Sequence, residues 1–448
     1  MKKTLLATAL LPLLAQAQTP PPAENPALYQ VVDAVNAERL QKDVTKLVGF
    51  GTRHTLSDTH SDTRGIGAAR RWLEQEFNAI SKDCGGCLEV ITVKGTVSGE
   101  KRVPNPTDIV NVVAIKWGSE DKKRMAMITG DIDSRVSDVM DFTSDAPGAN
   151  DNATGAAATL EAARVLSHHD FPGTLVFAAL SGEEQGLFGG KILAQYAKDH
   201  GWNIDAVINN DMIGNTSGID GIVDNHTIRV FSEGTRAVET PQEANYRRFT
   251  GGELDSPSRN LGRYIKALAH QYQPMLDVMM VYRLDRFGRG GHHRPFNEAG
   301  FPGVRLMEAH ENYHRQHQDL RTENGIAYGD VLAGVDFDYV RKATVLNALT
   351  LASLAWAPKP PENVKIDGAV SADTQLSWTL GQDKQLAGYK VHWRLTTEPT
   401  WSHSRYVGKV DSYRLKGVVI DNYFFGVSAV AKDGSESPVV FPGPAGAF

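Results

Sequence analysis

The chain has 448 residues, a length that fits two or three domains at about 150 residues per domain. Hydrophobic residues make up 41%, aromatic residues 8% and charged residues 22%, which excludes bulk disorder, a collagen-like chain and a polytopic membrane protein. The 47 basic and 53 acidic residues give a formal net charge of −6, and this mild balance predicts neither a nucleic-acid partner nor an anionic membrane surface.

The first 17 residues have the pattern of a secretory signal peptide. Two lysines precede an apolar stretch over residues 5–14, and residues 15–17 form the small-x-small pattern that a signal peptidase cleaves. The apolar stretch is about half of the ~20 residues that a membrane-spanning helix needs. We therefore expect an exported protein with no membrane span, periplasmic or secreted, whose mature chain begins at Gln18.

The chain has two cysteines, Cys84 and Cys87, separated by two glycines. In an oxidising compartment a disulfide that closes a tight turn is favoured over a metal site, because two thiolates cannot fill a tetrahedral zinc shell. A redox-catalytic pair is the minor alternative.

Hydrophobic periodicity predicts alternating helices and buried strands from residue 64 to residue 208. Apolar residues at spacings of three and four indicate helices, and apolar runs without polar alternation indicate strands that are buried on both faces. The predicted helices are 64–81, 153–168 and 187–200, and the predicted strands are 109–115, 125–128, 175–180 and 206–208. This order predicts an α/β fold with a mostly parallel mixed sheet and helices on both faces.

A proline-rich segment, 358–362, follows a long apolar helix and indicates a stiff linker. Beyond it the hydrophobic period becomes two, which predicts an all-β sandwich over 363–448 that resembles a fibronectin type III domain. We interpret this region as a recognition or spacer module that could contact a cell surface or a polymer. The predicted domains are thus the signal peptide 1–17, a main domain 18–357, the linker and the sandwich.

Acidic residues follow three of the four predicted strands. Asp131 follows the second strand, Glu183 and Glu184 follow the third, and Asp211 follows the fourth. Because ligands of an open α/β sheet bind beyond the carboxyl ends of its strands, we expect these carboxylates to lie at one rim. A fifth acid, Asp151, lies in a turn-rich stretch that opens the helix at residue 153.

Each acid alone also has an ordinary structural explanation. Asp151 could cap its helix, the two glutamates could favour a helix N-terminus, and the others could be turn residues. Capping does not explain why three buried strands end in acid, and mutual repulsion requires a counter-charge. Two divalent cations about 3.5–4 Å apart, bridged by one carboxylate, would supply it. One of two adjacent glutamates can then bind metal while the other accepts a proton.

Four motifs, 129–134, 147–155, 181–186 and 209–212, carry a resemblance to a known family. In this order they resemble the co-catalytic di-zinc aminopeptidases, the aminopeptidase Y and transferrin-receptor-like zinc peptidases, over residues 108–336. That family also includes carboxypeptidases and glutaminyl cyclases. The resemblance implies two zinc ions bridged by Asp151, with Glu184 and Asp211 each binding one and Glu183 as the general base.

One position departs from the family pattern. The family normally has a histidine where this chain has Asp131, and an aspartate two residues later, here Asp133, that orients the imidazole. Aspartate also binds zinc, so Asp131 remains a candidate ligand, although its added charge makes a bound water less acidic. Asp133 is then either a support for the ligands or a substitute ligand.

The last ligand that the resemblance implies is a histidine near the end of the domain. His314 and His317 are both candidates. Tyr313, before His314, could hydrogen-bond the developing oxyanion, whereas Asp319 could hold the second ring nitrogen of His317. We favour His317 slightly. His293 fits a family segment that normally reads aspartate–histidine, and a role in the pocket wall is as compatible with it as a catalytic one.

The resemblance implies an exported metallo-aminopeptidase that hydrolyses N-terminal residues from peptides. A metal-bridged water would lose a proton to Glu183 and attack the carbonyl. Glu183 would then return the proton to the departing amine. A carboxypeptidase or a glutaminyl cyclase on the same scaffold is an alternative, with loops 133–150 and 214–257 setting specificity. A non-catalytic binding protein of this fold is another. A calcium-dependent adhesin that uses Asp138, Asp141 and Asp145 is a third alternative, but the spacing of these residues lacks a calcium-loop signature.

Overall fold

The structure, a computed structural model, describes residues 19–447. The predicted signal peptide lies outside the described residues, so its assignment stays a prediction. Across residues 19–447, none of the helices is both long enough and apolar enough to span a bilayer.

An eight-stranded mixed sheet forms the centre of the larger, N-terminal part of the chain. Its strands in chain order are β1 (Glu89–Val97), β2 (Thr107–Lys116), β3 (Asp121–Asp131), β4 (Gly173–Leu180), β5 (Asn203–Asn210), β6 (Thr227–Ser232), β7 (Asp277–Val281) and β8 (Gly303–Glu308). Their order across the sheet is β1-β2-β4-β3-β5-β8-β6-β7. The neighbours β4, β3, β5 and β8 are parallel, so their carboxyl ends lie at one edge.

Helices cover both faces of this sheet, as the sequence predicts for an α/β fold. They are α1 (Pro26–Ala34), α2 (Ala37–Val48), α3 (Gly65–Asp83), α4 (Thr154–Leu166), α5 (Phe188–Asp199), α6 (Pro241–Thr250), α7 (Pro257–Tyr272), α8 (His293–Glu298) and α9 (Phe337–Trp356). Alternate residues of β3 enter two separate cores. Ala126 and Ile128 pack with α4 and α9, whereas Met125 and Met127 pack with α5 and α8. The predicted fold class is confirmed.

The elements that periodicity predicts are all present. The predicted helices correspond to α3, α4 and α5, and the predicted strands correspond to β2, β3, β4 and β5. The run 125–128 covers only part of β3, because the preceding lysines of that strand are not buried. The predicted disulfide joins Cys84 and Cys87, whose Cα atoms are 5.5 Å apart. Gly85 and Gly86 between them have φ values of 75° and 86°, which glycine adopts without steric cost.

The C-terminal part consists of antiparallel strands around a separate core. A small hairpin, β9 (Arg321–Glu323) and β10 (Ile326–Tyr328), precedes α9, and β11 (Glu362–Asp367), β12 (Thr374–Thr379), β13 (Leu386–Leu395), β14 (His403–Gly408), β15 (Ser412–Leu415) and β16 (Tyr423–Ala431) follow it. The last six strands form two sheets, β11-β12-β15 and β14-β13-β16. The fibronectin type III assignment and the boundaries at 357, 362 and 363 stay predictions.

A buried ion-pair cluster holds the C-terminal sheets against α7. Asp255 lies just before α7 and binds the guanidinium groups of Arg263, at 2.9 Å, and Arg394 on β13, also at 2.9 Å. All three side chains are buried. The Tyr264 hydroxyl adds a hydrogen bond of 2.9 Å to the Glu436 carbonyl oxygen. The C-terminal sheets are therefore packed against the α/β part and are not an isolated module.

Candidate metal centre

The four acids expected at strand ends lie at one edge of the sheet. Asp131 is the last residue of β3, Asp211 directly follows β5, and Glu183 and Glu184 follow β4 after a two-residue turn. Asp151 lies in the irregular turn 149–153 that precedes α4. The parallel arrangement of the central strands thus produces the gathering of carboxylates that the sequence predicts.

Three side chains converge closely enough to hold one metal ion. Asp151, Glu184 and His317 each offer a ligand atom, and the three atoms lie within 4.8 Å of one another. The Nε2 atom of His317 is 2.9 Å from Asp151 Oδ2 and 2.9 Å from Glu184 Oε1. His317 has a φ of 53°, a left-handed conformation that costs a non-glycine residue ~1–2 kcal/mol. Strain of this kind is common where a side chain must be aimed at a functional site.

The other histidine candidate lies apart from this group. His314 packs edge-on against the ring of Tyr328, with 5.0 Å between the ring centroids. An open cleft lies above Asp151, Glu184 and His317, and Tyr313 does not line it. Tyr313 is 52% exposed, so its position does not support the oxyanion role predicted for it. Asp319 accepts a hydrogen bond of 2.7 Å from Ser137 and not from His317, contrary to our expectation. The geometry favours His317 over His314.

Arg135, which the sequence analysis did not single out, fixes both Glu184 and His317. Its Nε donates to Glu184 Oε2 at 2.7 Å, and its Nη2 lies 2.7 Å from Nδ1 of His317. Arginine therefore takes the place next to His317 that we had predicted for Asp319. Because 182 residues separate Arg135 from His317, no local sequence signal links them.

Asp133 holds the backbone of the two adjacent glutamates. Its carboxylate accepts hydrogen bonds from the backbone amides of Glu183, at 3.2 Å, and Glu184, at 3.0 Å. It also accepts a hydrogen bond of 3.0 Å from the Thr55 hydroxyl. Of the two roles that we had predicted for Asp133, this geometry favours a support over a substitute ligand.

A second buried aspartate holds the turn that carries Asp151. Asp330 accepts hydrogen bonds from the backbone amides of Asn150, at 2.9 Å, and Asp151, at 2.7 Å. From the other side, the buried Arg53 donates to the carbonyl oxygens of Ile132, at 2.8 Å, and Gly148, at 2.9 Å. The turn is thereby tied to the end of β3.

Asp131 does not join the group of three. Its Oδ1 lies 2.5 Å from Nδ1 of His292, and its Oδ2 accepts a hydrogen bond of 2.8 Å from the Asn152 amide. His292 is fully buried and does not line the cleft. Its neighbour His293 is also buried and bonds the Leu284 carbonyl oxygen at 2.9 Å, so its position indicates a structural role.

Asp211 faces an arginine. Arg305, in the middle of β8, places Nη2 2.7 Å from Asp211 Oδ2 and Nη1 2.9 Å from Asp285 Oδ1. All three side chains are buried. The sequence analysis missed Arg305, although a basic residue inside the apolar run 303–307 signals a buried ion pair.

Burial and crowding divide the carboxylates into two electrostatic classes. Burial, Glu184 and Asp211 raise the pKa of Glu183 well above its ordinary value. Burial also raises the pKa of Asp131 to about 8 and that of Asp211 to about 7, against the opposing effect of Arg305. Burial likewise acts to raise the pKa of Glu184, but His317 and Arg135 outweigh it and lower that pKa far below the ordinary value. The surroundings therefore favour the ionised form of Glu184 and the protonated form of Glu183.

A cleft of about 680 Å³ opens above these residues. Its carboxylates belong to Asp151, Glu183, Glu184, Asp211 and Glu298, and its basic side chains belong to Arg102, Arg135, Lys191, Arg286, Arg289 and Arg294. Arg135 pairs with Glu184, Arg286 with Glu311 and Arg294 with Glu298. Across the part of the chain that the structure describes, Arg102, Lys191 and Arg289 form no ion pair. The wall of the cleft thus carries unneutralised positive charge.

The donors at the floor of the cleft fit zinc. Two carboxylates and one imidazole are a donor set that zinc takes, and catalytic zinc sites commonly have three protein ligands with one position open. Two ligands of a tetrahedral ion bound at ~2.1 Å are about 3.4 Å apart, so the observed separations of 2.9 Å need to widen only slightly. Arg135 lies beside two of these candidate ligands and resembles the outer support that metal ligands usually have.

Comparisons with known proteins agree with this interpretation. Residues 111–333 match peptidase family M28. A protein of Pyrenophora tritici-repentis named "Probable zinc metalloprotease" is 44% identical over 421 residues, which cover 93% of this chain and 87% of that protein. A similarly named protein of Leptosphaeria maculans is 43% identical over 94% of this chain and 98% of its own. The LapA aminopeptidase of Legionella pneumophila superposes with a TM-score of 0.54 at 17% identity, over 80% of this chain and 81% of that one.

Proposed function

This chain belongs to peptidase family M28 and is a zinc metallopeptidase, and we propose more specifically that it is an exported aminopeptidase that uses Glu183 as its general base. The observation that carries the proposal is the convergence of Asp151, Glu184 and His317 at the floor of the cleft, directly beside Glu183. One residue of an adjacent pair thus binds metal while the other remains available for proton transfer.

Asp151, Glu184 and His317 would hold the ion. When bound, zinc polarises the scissile carbonyl and makes water acidic enough to attack near neutral pH. Glu183 accepts a proton from the attacking water and returns it to the departing amine. Burial and the neighbouring Glu184 raise the pKa of Glu183, which makes it a stronger base than an exposed glutamate and so favours uptake of a proton. The Asp133 carboxylate accepts a hydrogen bond from the backbone amide of Glu183 and so keeps Glu183 in place.

The basic wall of the cleft supports a second candidate, a carboxypeptidase. An aminopeptidase must seat a substrate ammonium, whereas Arg102, Lys191 and Arg289 would repel one and would attract a substrate carboxylate. Both activities use the same zinc ligands and the same general base. The two candidates therefore differ in the substrate that they accept and not in the reaction centre.

Paired substrates distinguish the two candidates. A free-amine aminoacyl anilide reports aminopeptidase activity, and an N-acetylated dipeptide with a free carboxylate reports carboxypeptidase activity. We expect the first to be hydrolysed by the zinc-loaded chain. Hydrolysis of only the second would replace the aminopeptidase assignment by the carboxypeptidase, and hydrolysis of neither would reject both.

Two glutamate variants test the assigned roles. Glu183→Ala should abolish turnover with bound zinc retained, whereas Glu184→Ala should also weaken zinc binding. Glu298→Ala is the matched control, because Glu298 lines the same cleft but is largely exposed, with 55% of its side chain accessible. Normal hydrolysis by both the Glu183 and the Glu184 variants would show that the assignment is wrong.

Export and the C-terminal strands complete the proposal. The sequence pattern at residues 1–17 supports secretion into the periplasm or the medium, and N-terminal sequencing of the protein recovered there should begin at Gln18.

We propose the C-terminal strands as the region for contact with a cell surface or a polymer. Retention of the full-length mature protein on insoluble polymers tests this role, and a protein that is retained on none of them would contradict it.

A further inference from the structure

The second metal position that the family resemblance implies is already neutralised by this chain's own residues. The donors expected there are Asp131, Asp151 and Asp211. Arg305 Nη2 lies 2.7 Å from Asp211 Oδ2, so a positive charge already stands against that carboxylate. Arg305 is fully buried, so water contributes little to screening this contact.

Arg305 is held firmly in this position. Its Nη1 donates to both oxygens of Asp285, at 2.9 and 3.0 Å, and to the carbonyl oxygen of Gly290, at 3.0 Å. Burial acts to lower the pKa of Arg305, but Asp211 and Asp285 outweigh it and raise that pKa above its ordinary value. The guanidinium therefore stays charged, and moving it away would leave the buried Asp211 without its ion-pair partner and Asp285 with only the longer side-chain contacts of 3.6 Å to Arg286 and His293.

Asp131 is also engaged on both oxygens. His292 lies against Oδ1 at 2.5 Å, and Asn152 donates to Oδ2 at 2.8 Å. Asp211 Oδ1 is buried without a hydrogen-bond partner among the described residues, and Asp211 Oδ2 forms the ion pair with Arg305. Asp211 Oδ1 and one oxygen of Asp151 would give a second ion two protein ligands, fewer than the three typical of a catalytic zinc site.

We propose that Arg305 replaces the second metal ion as the counter-charge of Asp211, so that the chain binds a single zinc ion at Asp151, Glu184 and His317. The inference rests on the zinc site proposed above. It also accounts for the loss of the usual histidine at position 131, because a position that binds no metal has no need of an imidazole ligand. The Arg305 guanidinium supplies one positive charge where a family member's second ion would supply two, and Asp131 is instead partnered by His292 and Asn152.

Native mass spectrometry of the full mature chain, loaded with excess zinc and exchanged into metal-free buffer, counts the ions directly. We expect one zinc per chain. Two tightly held ions would overturn this inference while leaving the zinc peptidase assignment intact, whereas no bound zinc would overturn both.

Asparagine variants identify the ligands without reference to activity. Asp211→Asn should retain one zinc with a Kd within about threefold of the unaltered chain, because the amide still fits beside Arg305. Asp151→Asn is the matched control and should weaken zinc binding by more than about 100-fold, as expected for a ligand. A tenfold or greater loss of zinc affinity in Asp211→Asn would make Asp211 a ligand and overturn the proposal.

A double variant tests the charge role of Arg305 itself. Arg305→Met should lower the thermal midpoint or prevent soluble expression, because it leaves the buried Asp211 without its ion-pair partner and removes the nearest basic partner of Asp285. Adding Asp211→Asn in that background should raise the midpoint or restore solubility, because the unpaired charge of Asp211 is then removed. A double variant no more stable than Arg305→Met would contradict the proposed role.

Discussion

Replacing Asp133 with asparagine probes how the chain positions Glu183, its proposed general base. The carboxylate accepts hydrogen bonds from the amides of Glu183 and Glu184 and from the Thr55 hydroxyl. An asparagine of the same shape has one acceptor oxygen. The amide of Glu184 and the hydroxyl of Thr55 both bond Oδ2 of Asp133. In the better of its two orientations, the asparagine places its oxygen there and keeps both bonds, while its NH₂ group faces the amide of Glu183. The variant therefore specifically loses the hydrogen bond that supports Glu183.

The size of the effect follows from one charge-assisted hydrogen bond. Such bonds contribute ~1.5–3 kcal/mol, and the donor that remains is buried. If that free energy is lost from the catalytic geometry, kcat/KM falls by about 10- to 100-fold, since ~1.4 kcal/mol corresponds to a factor of ten. Zinc content should not change, because Asp133 contacts the backbone amide of the proposed ligand Glu184 and not the Glu184 carboxylate.

Steady-state kinetics together with zinc analysis check this prediction. Thr55→Val is the matched control, because it removes the hydroxyl bond to Asp133 and leaves both amide bonds in place; we expect a change of less than about threefold. An Asp133→Asn variant with unaltered kcat/KM would refute the positioning argument. Loss of zinc from that variant would instead make Asp133 a ligand, the alternative that the structure disfavours.

Other perturbations have similarly definite outcomes. Asp255→Ala should lower the free energy of unfolding in urea by ~3–5 kcal/mol, because it leaves two buried guanidinium groups uncompensated; Asp277→Ala, which removes an exposed ion pair with Lys266, should cost less than ~1 kcal/mol. A chelator should abolish hydrolysis, and added zinc should restore it; chelator-resistant activity would contradict the zinc assignment. Asp131→His should not add a second zinc, which elemental analysis would detect.

The gathering of acids at the sheet edge could be predicted from the sequence because it depends on local patterns. Apolar runs identify β3, β4 and β5, and in parallel strands the residues that follow such runs must meet at one edge. Glu308 shows the limit of this rule. It also ends a buried strand, β8, yet it accepts hydrogen bonds from Asn150 and Asn215 and lies outside the metal group.

The partners of the acids could not be predicted, because they come from distant parts of the chain. Arg135 reaches His317 and Glu184 from a loop after β3, and Asp330 holds the Asp151 turn from just before α9. Nothing in the local sequence of either residue indicates these contacts, which depend on how the loops fold over the sheet. Arg305 is different, since a basic residue within an apolar strand requires a buried acid, although the pattern alone does not say which acid.

Anomalous X-ray diffraction from crystals of the zinc-loaded mature chain, recorded on both sides of the zinc absorption edge, locates every bound zinc ion. We predict one anomalous peak, within bonding distance of Asp151, Glu184 and His317, and none beside Arg305. The absence of a peak among those three side chains at saturating zinc would contradict the proposed reaction centre.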